Sequence, residues 1–439
     1  MAISPKRRNE ILEALRKGTV PQDGLDLLAV GLAPFAATVD EDLRRVQESG
    51  SAFKAIRGDY GCGKTFFSRW LQQRARRLQF ATTEVQISET ETPLHRLETV
   101  YRRMLERLAT PSIRQGAFRS VIEAWFFALE EDVLSDGKIA PDDAPGILAA
   151  TNQLMEKRLQ SISQTAPAFA AALRAYRMAV AAGDASTADG LLAWLAGQPN
   201  VAAGIKRTAN IKGEVDHFTA LSFLQALLVV LRDSGHPGLV LVLDEVETLQ
   251  RVRSDAREKA LNALRQLIDE LDAGRFPGLY LVVTGTPSFF EGPQGVQKLP
   301  PLAQRLHTDF AADGRFDNPR APQIRLQPFG NTEMLEVGRK VRDLFADGCS
   351  SPDRLRACAD DDLINRLAVG VAGRLGGKTG IAPRLYLKKL VAEVLDRIDL
   401  YPDFDPRKDY RLTILEDEMT DEERNAAPAA SVDAIQLKL

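Results

Sequence analysis

The chain has 439 residues, of which 44% are hydrophobic, with 57 Lys plus Arg set against 60 Asp plus Glu. This balance excludes wholesale disorder, a collagen-like repeat and a disulfide-stapled miniprotein. The net charge of −3 provides no global positive field for nucleic acid or an anionic membrane, so any such contact needs a local patch or a partner's surface.

Three cysteines, Cys62, Cys349 and Cys358, match no zinc-ligand spacing and favour a reducing compartment, by default the cytoplasm. Residues 1–18 start basic but reach no apolar leader segment, and no later run approaches the roughly 18 apolar residues of a span. The expectation is neither export nor membrane insertion.

In chain order, residues 1–38 read as an N-terminal arm punctuated by Pro21, Gly24 and Gly31. The first part of an α/β core follows at 39–110: a helix at about 39–49, a strand at 53–58 where apolar and basic residues alternate, an amphipathic helix at 64–78, a strand at 82–88 and a helix at 93–108. From 111 to 212 the text turns rich in Ala, Leu and Gln with few β-branched runs, which predicts an all-helical insertion. Residues 213–330 resume the core with a helix at 217–233, two continuous apolar strands at 238–247 and 278–286, and a helix between them at 255–273. Such apolar strands are the kind buried on both faces of a parallel sheet. A helical lid at 331–400 and a tail at 401–439, with a short strand at 411–415 and an acidic solvated end, complete the reading.

The chemistry concentrates at the end of the first strand. Gly58-Asp59-Tyr60-Gly61-Cys62-Gly63-Lys64-Thr65 fits G-x-x-x-x-G-K-[ST] between a strand and a helix, with Phe66 next. Glycines there let backbone N–H groups curl around phosphate at a helix N-terminus. Lys64 would bridge the β- and γ-phosphates of ATP, and Thr65 would ligate Mg²⁺. Asp244, released at the end of an apolar strand, would hold the same ion, and Glu245 beside it would accept a proton from attacking water. Thr284, at the tip of the next strand and chosen over Thr286, would orient that water. Arg305 and Arg384 are candidates for neutralising transition-state charge, in cis or from a neighbouring subunit. A second pattern, Ala372 to Thr379, meets a relaxed form of the loop motif, but follows a helix and is interrupted by Gly380 and Pro383, so it reads as a turn ahead of Arg384.

The order of these elements resembles the AAA+ ATPases, particularly their origin-recognition and signal-transduction branches. That resemblance implies a trans-acting finger role for Arg305 and a lid sensor role for Arg384. The phrases ILEALRKGTVPQDGLDLLAVGL, RGDYGCGKTFFSRWL and EVQISETETPLHRLETVYRRM are similar to the BrxC/BrxD-type P-loop family of BREX ATP-binding proteins, over nearly the whole chain. The resemblance implies a bacterial anti-phage locus whose partners include a helicase, a methyltransferase or a phosphatase-like protein, and a homo-oligomer. Two departures stand out: about forty residues after the lid are too few for a complete winged-helix domain, and the 111–212 insertion lies outside the generic AAA+ core. Direct DNA binding is left open.

Arg69, Arg74, Arg76 and Arg77, with Lys6, Arg7 and Arg8, are the candidate DNA-backbone patch, although such charged helix faces more often solvate. His95, His217, His236 and His307 have no metal-ligand spacing. Trp125, Phe126, Phe127 and Trp194 read as insertion core before a base-stacking platform. Two functions remain: an ATP-hydrolysing switch or motor acting with DNA or partners, and a slow nucleotide-dependent scaffold that assembles other defence proteins.

Overall fold

The computed structural model describes residues 3–376, 383–420 and 423–424. Five parallel strands form one sheet in the order β2-β3-β4-β1-β5. They are β1 (Ala52–Arg57), β2 (Ala81–Gln86), β3 (Leu239–Asp244), β4 (Leu279–Gly285) and β5 (Gln323–Arg325). Every residue of β3 and β4 is buried, which is why both are apolar almost throughout. β1 lies between β4 and β5, and its bases Lys54 and Arg57 are both buried. Lys54 is buried and donates to the carbonyls of Arg320 and Ala321 at 2.9 Å each, which satisfies an ammonium that burial would otherwise penalise.

The helix Lys64–Arg77 follows β1 across the glycine loop, with Phe67, Trp70 and Leu71 in a core layer that also holds Ile56, Val242 and Val282. On the opposite sheet face the helices Leu97–Glu106 and Ser254–Asp272 meet the strands, and the insertion packs on the helix His217–Asp233. The insertion helices Phe118–Ser135, Ala144–Thr165, Pro167–Ala181 and Ala185–Leu195 share one continuous apolar cluster with Leu241, Leu281 and the helix His217–Asp233. Phe223 is the hub of the join, its ring meeting those of Tyr101, Phe169 and Trp194 at 6.0, 5.1 and 5.5 Å. Trp125, Phe126 and Trp194 are core, as the composition implied, whereas Phe127 is 61% exposed. The expected α/β fold with a parallel sheet is present, with helices inserted between glycine loop and acidic strand and a helical lid after the sheet.

The lid comprises Asn331–Ala346, Pro352–Cys358, Asp361–Arg374 and Pro383–Lys389, the last running through a π-helical stretch, Leu390–Leu395, into Asp396–Leu400. Residues 5–16 do not form a free arm. They are a helix, Pro5–Arg16, that buries Ile11, Leu12 and Leu15 in the lid core, and Arg16 donates to both oxygens of Asp396 at 2.8 and 2.7 Å. A short helix, Leu25–Leu28, follows, and the helix expected at about 39–49 starts earlier, at Ala33, with Pro34 in its first turn. The anticipated strand at 411–415 is also absent: this stretch pairs with no strand, and Leu412 and Ile414 pack on the lid core. Of the second loop-like pattern, Gly377 to Thr379 lie outside the described residues.

Candidate functional site

Parallel register brings the site together. Gln86 of β2 stands beside Asp244 of β3, and Arg57 of β1 beside Gly285 of β4, so the loop after β1 and the polar tips of β2, β3 and β4 meet at the C-terminal edge of the sheet. The loop turns through Gly61 and Gly63, at φ of 79° and 95°, where a side chain would be strained. Gly58 sits against Cys62: a Cβ there would lie 2.3 Å from its Sγ. Cys62 is buried, and burial raises its thiol above the usual range, which disfavours the thiolate. Phe66 packs against both the sheet-side and the lid cores, joining the loop helix to the lid.

Lys64 folds back over its own loop, donating to the carbonyl of Gly58 at 2.9 Å and that of Asp59 at 3.2 Å, with its ammonium 5.1 Å from the Tyr60 ring centroid. Thr65 Oγ1 is 3.4 Å from Asp244 Oδ2. A hydroxyl and a carboxylate at this spacing suit a hard cation, and burial pushes the Asp244 carboxyl above its ordinary value, as expected where a charge lacks full compensation. Among the described residues no cluster of three His, Cys, Asp or Glu forms a metal cage, so Mg²⁺ here would complete its shell with phosphate oxygens and water.

Thr284 is 0% exposed, and its hydroxyl donates to Asp244 Oδ1 while accepting the Glu245 N–H at 3.1 Å. It is not among the residues lining the cavity around Lys64 and Asp244, and its contacts are with the acidic pair. Glu245 takes a left-handed backbone, φ 59°, and its carboxylate accepts a 2.9 Å bond from Gln86 Nε2. Sequence reasoning missed Gln86, whose signal was only its place at a strand end. It also missed Glu247, which is 5% exposed, has no hydrogen-bond partner on either oxygen and lies 3.8 Å from Lys64 Nζ. Burial raises that carboxyl to about 6.

Lys64, Thr65, Asp244, Glu245 and Glu247 line a cavity of about 720 Å³ that is also lined by the apolar Val20, Leu28, Val30, Phe35 and Phe329. The stretch read as an arm therefore supplies one wall. Arg384 lines the lid wall. Arg305, at the end of the helix Pro300–Arg305, lies outside the cavity and pairs with Asp269.

The four arginines of the candidate DNA patch that follow the glycine loop have intramolecular partners. Arg69 pairs with Glu84 at 3.3 Å, Arg74 with Asp40 at 2.6 Å, Arg76 with Asp23 at 3.3 Å, and Arg77 with Asp26. The last two pairs tie residues 23–26 to the loop helix.

A profile of the family described as "BREX system ATP-binding protein BrxC/D" matches residues 3–414. The chain belongs to the BREX ATP-binding protein family BrxC/D. No functionally curated protein matches the sequence. Among solved structures, the Aeropyrum pernix ORC2 protein, described in ADPNP–ADP complexes, is similar at 13% identity and a TM-score of 0.36, covering 82% of this chain and 66% of that one. For a BrxC/D chain, the cationic loop, the paired hydroxyl and carboxylate, and the apolar lining residues form a cavity chemically suited to a nucleotide. Among the described residues no helix is long and apolar enough to cross a membrane.

Proposed function

We propose that this chain is an Mg²⁺-dependent ATPase of a bacterial BREX-type defence system, working as a nucleotide-driven switch or motor with partner proteins. The observation that carries this reading is the convergence of Lys64, Thr65, Asp244 and Glu245 on one cavity that also has apolar lining residues. Loop N–H groups and Lys64 would bind the phosphates, and Lys64 would exchange its two loop carbonyls for phosphate oxygens. Thr65 and Asp244 would hold Mg²⁺, which neutralises charge on the β- and γ-phosphates. Glu245 would take the proton of the attacking water, with Thr284 fixing its backbone.

Arg384 would meet the γ-phosphate from the lid. Arg305 would reach a neighbour's nucleotide in a homo-oligomer, a role compatible with its position outside its own cavity. Because Arg69, Arg74, Arg76 and Arg77 are paired internally, this reading favours DNA contact through a partner, such as a helicase or methyltransferase of the same locus.

The test is MgATP turnover by purified protein, measured together with particle mass, with and without duplex DNA. Turnover abolished by Glu245→Gln with binding retained supports the assignment. Nucleotide bound but never hydrolysed, with DNA and partners present, overturns the motor. The Gln86–Glu245 bond favours the second reading, a slow scaffold: Gln86 holds one oxygen of the base, Oε2, until it lets go. Gln86→Ala raising basal turnover would support that restraint.

A further inference from the structure

The cavity's lid wall contains two residues from far along the chain, Thr420 and Glu423. Glu423 is 3% exposed and faces the Arg384 guanidinium with both oxygens: Nε donates to Oε1 at 3.1 Å and a terminal nitrogen donates to Oε2. That terminal nitrogen also donates to the Glu418 carbonyl at 2.6 Å. A guanidinium fork matches carboxylate and phosphate by the same geometry. The carboxylate therefore occupies the position on Arg384 that a nucleotide phosphate would need.

The segment is built for this placement. Thr420 N donates to Glu423 Oε2 at 2.8 Å, and Glu423 N donates to Thr420 Oγ1 at 3.2 Å, the reciprocal arrangement of a capping box. A few residues earlier, Glu418 accepts from Lys388 at 2.9 Å and from the buried Lys389 at 2.6 Å. Burial alone would raise the Glu418 carboxyl, but Lys389 and Lys388 hold it down at about 2. Lys388 and Lys389 do not line the cavity, whereas Arg384 does. Glu418 is thus an anchor outside the cavity, and Glu423 is a tip within it.

We propose that the acidic segment carrying Glu418 and Glu423 is a tethered competitor for anionic phosphate at Arg384, which ATP displaces at its tip while Glu418 keeps the segment docked. This rests on the nucleotide reading above and adds a regulatory contact to it. ADP lacks the phosphate that would reach the lid arginine, so it leaves the tip in place.

The test compares MgATP and MgADP binding to the full chain by calorimetry, for wild type and Glu423→Gln, alongside hydrogen exchange of the Thr420 amide in wild type. Glu423→Gln is expected to tighten MgATP about tenfold, the factor recovered when a strapped state outnumbers the open one by that ratio, while MgADP changes less than about twofold. In wild type, MgATP should speed Thr420 exchange and MgADP should not. If wild type binds both nucleotides but Thr420 exchange is the same with either, or Glu423→Gln binds MgATP no tighter, the competitor is overturned and the nucleotide site stands. If no form binds nucleotide, the proposed function falls and the competitor with it. Should Glu423→Gln fail to fold, the wild-type exchange measurement decides.

Discussion

The two walls of the cavity are held by different forces. The sheet wall is fixed by burial: β3 and β4 are enclosed on both faces, and Asp244, Glu245 and Thr284 stand where their strands end. The lid has an apolar core of its own, but the acidic segment is held against it by ion pairs between distant segments, Arg384 with Glu423 and Lys389 with Glu418. Burial specifies one arrangement because every alternative exposes apolar surface. An ion pair can exchange its anion for another of similar shape at little net cost. The sheet wall is suited to holding chemistry in place, and the lid wall to sensing what occupies the cavity.

The comparison can be broken first at the phosphate loop. Lys64→Ala should lower ATP turnover by more than about 100-fold, measured at saturating MgATP. Retained turnover would mean that the sheet wall is not the reaction centre. In the sheet itself, Leu281→Ala should cost about 2–5 kcal/mol in denaturant unfolding, since Leu281 is fully buried in a central strand; a loss below about 1 kcal/mol would deny that burial sets this wall.

Glu247→Gln should act in the opposite direction and depend on pH. Burial raises this carboxyl from 4.5 to about 6, so the folded chain keeps a proton there that the unfolded chain has released. Wild-type stability therefore falls between those two pH values, and the full penalty applies above them. The variant should be more stable by about 2 kcal/mol near pH 7.5 and no more stable near pH 4, and a gain equal at both pH values would contradict the assignment. Thr284→Val, close in shape but lacking the hydroxyl, should cost about 1–3 kcal/mol by leaving the Asp244 oxygen and Glu245 N–H unpartnered, and should slow turnover with little change in KM. The smallest effect belongs to the lid side: Arg16→Ala should cost about 1 kcal/mol or less, and a larger loss would show that ion pairs there do more than tune position.

What was legible in the sequence follows the same division. β3 and β4 were plain because each is a continuous apolar run ending in polar residues, and the glycine loop because its spacing is constrained by backbone conformation. β1 was legible from its alternation, but the partners that let Lys54 and Arg57 be buried, two carbonyls and Glu291, come from distant segments that no local pattern records. Glu247 was hidden by the Asp244–Glu245 pair beside it, as burial is a property of packing that no short motif records. The acidic end read as solvated because charge runs usually are. The Thr420-to-Glu423 spacing was a capping signal on the page, but its target, Arg384, could be known only from the folded lid.

The seating of the helix Pro5–Arg16 also has a consequence for biosynthesis. Arg16 and Asp396 lie 380 residues apart, and the surface that buries Ile11, Leu12 and Leu15 is made of residues from Met334 to Ile398. A chain emerging from the ribosome carries that apolar helix uncovered until most of the remaining sequence has been synthesised. The sheet layers can close earlier, but the lid cannot. The cavity wall formed by residues 18–35 is strung between the two, so a nascent chain acquires its phosphate loop well before it has a closed pocket in which to hold a nucleotide.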